Sequence, residues 1–467
     1  MVVAKLKSEN RRLRTFKEIQ APKLKFREKL SYGFGDLGNG MMFDMGQIYL
    51  LKFFTDILGI SSVYGGLVFF LSKIFDAFFD TGVGAFVDNR KNFGSKGKFR
   101  PFILYGSIPL ALFTVLTFIS PDLSYTGKVV WAFTTYILFN FAYSVVNIPY
   151  GSLSAAITLN ADDRTQLSVF RNLGSQGALF IAGIVVIPMV NAFPNHAVGY
   201  PFAVGLLGIA GVIFHMICYK GTKERHVIEQ PKTKNIGRKA FKELFKNLPF
   251  VILVIYTLLT ITAQFLKQQV QLYYFQYVLD SPNLVSIVST LNFIVLIPGL
   301  ILTTFLSKKF GKKMTAIIGV TAFFVFEFLN FVVFGGNLKS FLVVNTLSNM
   351  SLVIPTTVCW AFIADVVEYQ QWKTGIRSEG IIYSSYSFTR KITQALAGLI
   401  SGSALTLVGY QPNVQQTAST IFGMKFIFFA VPGIATLIGM VIFLIFYPLT
   451  DKRHNQIVKE LALREEI

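Results

Sequence analysis

Cysteine and histidine are scarce in this sequence, with two of the first and four of the second in 467 residues. Cys218 and Cys359 have no CxxC neighbour, and the histidines form no HExxH or paired pattern. A disulfide framework is therefore excluded, as is a ligand set for metal-dependent chemistry. Charge is scarce too. Only 15% of the residues are charged while 53% are hydrophobic, with 48 Phe and a mean hydropathy of +0.54. Soluble domains carry charge on about a quarter of their residues, so a water-soluble globule is excluded. No catalytic constellation and no hydrophilic output domain stand out, so an enzyme or a membrane sensor is not expected.

What the chain has is long apolar runs. About 20 residues of helix cross roughly 30 Å of hydrocarbon. Twelve stretches of that kind recur, at 34–57, 63–87, 101–120, 128–152, 172–192, 200–219, 248–278, 283–306, 314–334, 340–366, 381–408 and 424–448. The expected class is an all-α membrane protein. About 30 basic-rich residues precede the first span and no small-residue cleavage site follows it, so it does not read as a secretory signal.

The net charge of +20 is unevenly placed. Lys and Arg collect before Ser31, in 88–100, 160–171, 220–246, 307–313 and 370–377, and after Thr450; the alternate loops hold little beyond Lys128 and Lys339. Short basic loops stay cytoplasmic, which places both termini inside a plasma or inner membrane. The charge answers to topology, so no nucleic acid is expected as a partner, and the lipid bilayer is. The arm from Lys5 to Lys29 is either a disordered tail or a contact with anionic lipid.

The longest hydrophilic interruption divides six spans from six. The expected organisation is a basic arm (1–30), an N-terminal six-helix bundle (31–219), a central loop (220–247), a C-terminal six-helix bundle (248–448) and a tail (449–467). The basic turn after the second span, Gly84 to Arg100, is echoed after the eighth at Ser307 to Lys313. Duplicated halves of this kind frame a central site near the bilayer midplane in carriers.

A charge at the bilayer centre costs about 3 kcal/mol or more, so each one calls for a reason. Asp76 and Asp80 sit one turn apart on one helix face, with Lys73 a turn before them. Two carboxylates so close can bind one cation or share a proton, and either makes a coupling-ion site. A pair that merely neutralises Lys73 and another base is the bland alternative. In the first span Asp36, Gly40 and Asp44 form a stripe beside Asn39. The fourth span carries Tyr143, Asn147 and Tyr150 around Pro149, whose missing N–H frees a carbonyl. In the seventh, Gln264, Lys267, Gln268 and Gln271 precede Tyr273, Tyr274 and Tyr277. Amides with aromatic faces suit a polyol, though a zipper of Gln between helices suits them equally. Arg390 and Lys391 lie deep in the eleventh span, where Lys391 is expected to pair with an acid.

Several motifs together resemble one group. They are Lys29 to Gly35, Asp76 to Asp80, Gly97 to Pro101, Asn147 to Leu153, and Ala364 to Tyr369 running on through Trp372 to Gly380. The chain is similar over nearly its whole length to the glycoside-pentoside-hexuronide cation symporters of the major facilitator superfamily. The resemblance implies a major facilitator fold of twelve transmembrane helices in two six-helix bundles, and no cofactor beyond a coupling H+ or Na+. It implies that Asp76 and Asp80, with Asn147, hold the cation, Asp76 and Asp80 being the only residues expected to meet a metal ion, as Na+. It also implies that Tyr143, Arg171 and Lys391 serve the sugar or support it. Where the family's melibiose carrier has a sugar-binding Asp, a stacking Trp and a cation-site Asn, this chain has Gly40, Gly151 and Phe79, and Thr356 replaces a further Trp. Asp44, Tyr150 and Trp360 are expected to take over those duties, with Gln268 completing the sugar pocket. Arg100, Asp365, Glu368 and Arg377 in the cytoplasmic loops are expected to gate. The expected function is import of a sugar or glycoside with a monovalent cation by alternating access. The alternatives are an uncoupled facilitator and a lipid-type carrier.

Overall fold

The computed structural model describes residues 23–90, 96–158, 160–226, 244, 246–334, 337–375 and 379–466. Among them every regular element is a helix. Helix α1 is Phe26–Met45, prolonged through two π turns, Gly46–Leu50 and Phe53–Ile57. Then come α2 (Ser62–Asn89), α3 (Arg100–Thr117), α4 (Tyr125–Ile157), α5 (Ala161–Asn191), α6 (His196–Gly221) and α7 (Leu248–Tyr277). The stretch Leu284–Leu329 breaks at Gly311, whose φ of +80° suits a residue without a Cβ, into α8 (284–310) and α9 (312–329). Helices α10 (Leu338–Thr374) and α11 (Glu379–Leu407) follow, and α12 runs from Ala418–Lys425 through the π turn Phe426–Ala430 into Val431–Phe446. A tail helix, α13, is Asp451–Glu466.

Helix starts are written in the sequence as side-chain caps. Asn160, Asn195, Asn247, Asn337 and Thr417 each accept a backbone N–H of the first turn of α5, α6, α7, α10 and α12. Helix α5 begins eleven residues before the expected span at 172, because Asn160 caps it where Asp162, Asp163 and Arg164 interrupt the apolar pattern.

Nine stretches among the described residues are long and apolar enough to cross a membrane, and one of them, Leu284–Val333, holds both α8 and α9. Helices α1 and α11 are not among the nine. They are the two that carry Asp36 with Asp44, and Arg390 with Lys391. With them the chain accommodates twelve crossings. Large apolar side chains such as Phe78, Phe86 and Ile301 stand two-thirds exposed on the protein surface, as lipid-facing residues do.

The chain divides into two compact units. The first is Met1–Gly46, Phe75–Pro121 and Val130–Pro231. Its α1 packs on α5 and α6, with α3 against α6. Gly33 and Gly174 make the α1–α5 approach close, since a Cβ on either would strike the opposite backbone. Its core gathers Tyr32, Ile103, Tyr150, Leu153 and Cys218. The second unit is Gln47–Ile74, Asp122–Val129 and Lys232–Ile467. Here α7 packs on α11 and α12, and α10 on α8 and α9. Its core includes Tyr256, Cys359, Phe362, Tyr386 and Phe443. Both cysteines are buried and unpaired, each in its own unit's core.

Candidate functional site

In the first unit, one serine links the two helix-α2 carboxylates. Ser144 Oγ on α4 lies 3.0 Å from Asp76 Oδ1 and 2.6 Å from Asp80 Oδ1. Asp76 is buried and Asp80 half-buried. A hydroxyl has a single hydrogen, so it donates to one carboxylate only. The other short oxygen contact becomes a bond when that carboxyl is itself protonated and donates to Oγ, or when a cation lies between them. Phe79, one residue before Asp80, packs on Phe75 and on Phe141, with ring centroids 6.4 and 5.2 Å apart.

One turn along α4, Asn147 continues the polar line. Asn39 Nδ2 donates weakly to Asn147 Oδ1 at 3.5 Å and to Asp36 Oδ1 at 3.4 Å, while its Oδ1 is 3.0 Å from His215 Nε2. Asp36 Oδ2 accepts from Arg171 Nε at 2.8 Å. The Arg171 guanidinium lies over the Tyr150 ring, 5.1 Å from its centroid. Tyr150 is fully buried beneath it, donating its hydroxyl to the Tyr32 carbonyl at 2.7 Å. Tyr150 thus supports Arg171 from below. Tyr143 stacks on Phe43 at 4.5 Å. Asp44 is half-buried, and Gly40 one turn earlier gives it room, since a Cβ there would come within 2.8 Å of Asp44 Oδ2.

In the second unit Trp360 is 47% exposed and meets Tyr386 edge-on at 5.6 Å. The Arg390 guanidinium lies 5.5 Å from the Trp360 ring centroid. Gln268 and Lys391 are half-buried on α7 and α11. Lys267 does not share the face of its neighbouring glutamines. It turns into the unit and pairs with Glu327, which also accepts from Ser348. The rings of Phe323, Phe428 and Phe429 surround its ammonium at 5.1–5.8 Å. Burial drives this: a lysine inside a bundle is tolerable only beside a carboxylate and aromatic faces.

Three of the four expected gating residues are engaged within their own unit. Arg100 donates to the Tyr219 carbonyl at 2.5 and 3.1 Å and covers the Tyr219 ring. Asp365 pairs with Lys312 at 2.5 Å, and Glu368 with His454 at 2.5 Å. Arg377 lies outside the described residues. Glu224, unremarked in the sequence, accepts from the backbone N–H groups of Lys98, Phe99 and Arg100 at 2.7, 2.9 and 2.9 Å, anchoring the start of α3. Asp451 does the same at the start of α9, accepting from Lys312 N at 3.0 Å beside Gly311. The echo of basic turns is therefore also an echo of acid caps. Lys52 and Asp56 form a further pair at 2.5 Å, which Thr55, Tyr277 and Tyr410 also reach.

Compared with known proteins, residues 31–451 match the family model described as MFS/sugar transport protein. The uncharacterized symporter YjmB of Bacillus subtilis (strain 168) is 43% identical over 443 residues, 94% of this chain and 96% of that one. The glucuronide carrier protein homolog of Escherichia coli (strain K12) is 35% identical over 456 residues, 95% of this chain and 97% of that one. Among solved structures, a D-xylose-proton symporter shares the fold with a TM-score of 0.68 at 14% identity, over 91% of this chain and 98% of that chain.

Proposed function

Because the chain belongs to the MFS/sugar transport protein family, and so is a multi-span membrane transporter and not an enzyme, we propose that it is a proton-coupled symporter importing a sugar or glycoside. The observation that carries the coupling is the single Ser144 hydroxyl set between Asp76 and Asp80. There one hydroxyl hydrogen serves two carboxylates, an arrangement that suits a proton shared within the pair. Phe75, Phe79 and Phe141 bring carbon rather than oxygen to the neighbourhood of Asp80, which favours a proton over Na+. The relative named for glucuronide supports a glycoside as cargo.

Coupling then follows from charge. Bare carboxylates resist the desolvation that accompanies closure, whereas a protonated pair does not, so the ion shifts the population of states during alternating access. Asn147, one turn from Ser144 on α4, begins a line of contacts through Asn39 and Asp36 to Arg171, which brings the carboxylate pair near the groups proposed to meet sugar. A plasma or inner membrane with both termini cytoplasmic accords with the basic loops.

The test is uptake of labelled glycosides into membrane vesicles under an imposed proton or sodium gradient. Accumulation driven by the proton gradient alone is expected, and Asp76→Asn and Asp80→Asn should each abolish it while leaving exchange. Uphill uptake that persists in both variants refutes the assignment. Uptake that equilibrates without a gradient response identifies an uncoupled facilitator.

A further inference from the structure

Arg390 sits about three turns in from Glu379 in a membrane helix of 29 residues, where an unmatched cation is costly. Three other basic residues within the bundles have carboxylates: Arg171 has Asp36, Lys267 has Glu327 and Lys52 has Asp56. Among the described residues the Arg390 guanidinium forms neither an ion pair nor a hydrogen bond, and its neighbour is the face of Trp360. The side of α11 it occupies is polar. Ser387 and Gln394, about one turn before and after it, are exposed and half-exposed, and Lys391 beside it is half-exposed, neighbours that suit water and not lipid.

The same construction occurs in the first unit, where Arg171 of α5 lies over Tyr150 of α4. Counted within each set of six helices, α11 and α10 are the fifth and fourth, as α5 and α4 are. In the first unit the guanidinium is occupied by an internal carboxylate, and its ring platform is buried. In the second the guanidinium has no acid among the described residues, and its platform is 47% exposed.

We propose that Arg390, held on Trp360, binds an oxyanion of the transported sugar, a carboxylate or sulfonate, and so selects sugar acids over neutral sugars. The planar guanidinium matches such a group with two parallel hydrogen bonds. The exposed indole offers the carbon face of the pyranose a stacking surface. Bound cargo thus supplies the counter-charge that the described residues lack. The inference rests on the sugar-transport reading above and names its substrate class.

The test is gradient-driven uptake by the full-length protein in vesicles of three labelled probes: methyl β-D-glucuronide, its 6-sulfonate analogue, and neutral methyl β-D-glucoside. Wild type is expected to favour at least one acid over the glucoside by tenfold or more in kcat/KM, and the better acid tells carboxylate from sulfonate. Arg390→Gln should reduce the acid-to-neutral ratio at least tenfold, and Arg390→Lys, which keeps charge but not the fork, by less. Should Arg390→Gln fail to fold, Arg390→Lys against Trp360→Ala carries the comparison, both lowering the ratio. A wild type that prefers the glucoside, or a ratio untouched by these substitutions, overturns the anion assignment while the transport reading stands. If no probe is taken up under any gradient, both readings fall.

Discussion

Ser144 Oγ and Asp80 Oδ1 lie 2.6 Å apart, a strong bond from a residue that is fully enclosed in the first unit. The same hydroxyl lies 3.0 Å from Asp76 Oδ1, so it touches both α2 carboxylates. Ser144→Ala removes a donor and leaves two acids facing each other across a methyl group. A hydrogen bond to a charged group is worth about 1.5–3 kcal/mol, so the apparent affinity for the coupling ion should change by at least about tenfold. Proton-driven accumulation is expected to fall and carrier-mediated exchange to remain. Equal loss of both would assign Ser144 to folding instead.

Glu327 in the second unit is fully buried and neutralises Lys267, so removing it strands an ammonium among phenylalanine rings. Glu327→Leu is expected to destabilise by about 3–5 kcal/mol, the cost of leaving one partner of a buried pair alone. The double variant Lys267→Met with Glu327→Leu removes both charges and should recover most of that loss. Thermal unfolding of the detergent-purified protein separates the two cases. If the double variant is as unstable as the single, the pair contributes by shape and not by charge.

The sequence made the membrane class and the acid pair of α2 legible, because apolar length and i,i+4 spacing are local properties. Partners across the fold were not legible. Nothing near Asp36 announces Arg171, 135 positions away, and nothing marks Glu224 as the cap of α3. Lys267 misleads for a related reason: helical periodicity places it near Gln264 and Gln268, while rotation by a few tens of degrees decides between an open face and Glu327. Arg390 was visible as a deep cation, but whether it has an acid is a three-dimensional question.

Glu224 and Asp451 offer a graded comparison, since the first receives three backbone N–H groups and the second one. Amide substitution keeps the shape and weakens the anion at a helix start, where capping is worth about 1 kcal/mol and a favourable charge about as much again. Glu224→Gln should therefore cost more than Asp451→Asn, roughly 2 against 1 kcal/mol, in denaturation of the purified protein. The reverse order would show that the bond count is not what matters at these turns.

The first turns of α2 meet α11 through glycine and small hydroxyls. Ser62 Oγ and Thr406 Oγ1 are 2.7 Å apart, and a Cβ on Gly66 would fall 2.7 Å from the Gly398 carbonyl. Side chains whose Oγ atoms touch are candidates for a disulfide, which needs Cβ atoms within about 4.5 Å. With Cys218 and Cys359 replaced, Ser62→Cys with Thr406→Cys is expected to cross-link under mild oxidation. In the alternating access proposed above α2 and α11 part in each cycle, so the cross-link should lower uptake at least tenfold and a reductant should restore it. Gly402→Leu tests the cause, because a side chain there overlaps Ser62 and Gly66 and should prevent the cross-link. Undiminished uptake in the fully cross-linked protein would mean that α2 and α11 stay together throughout the cycle.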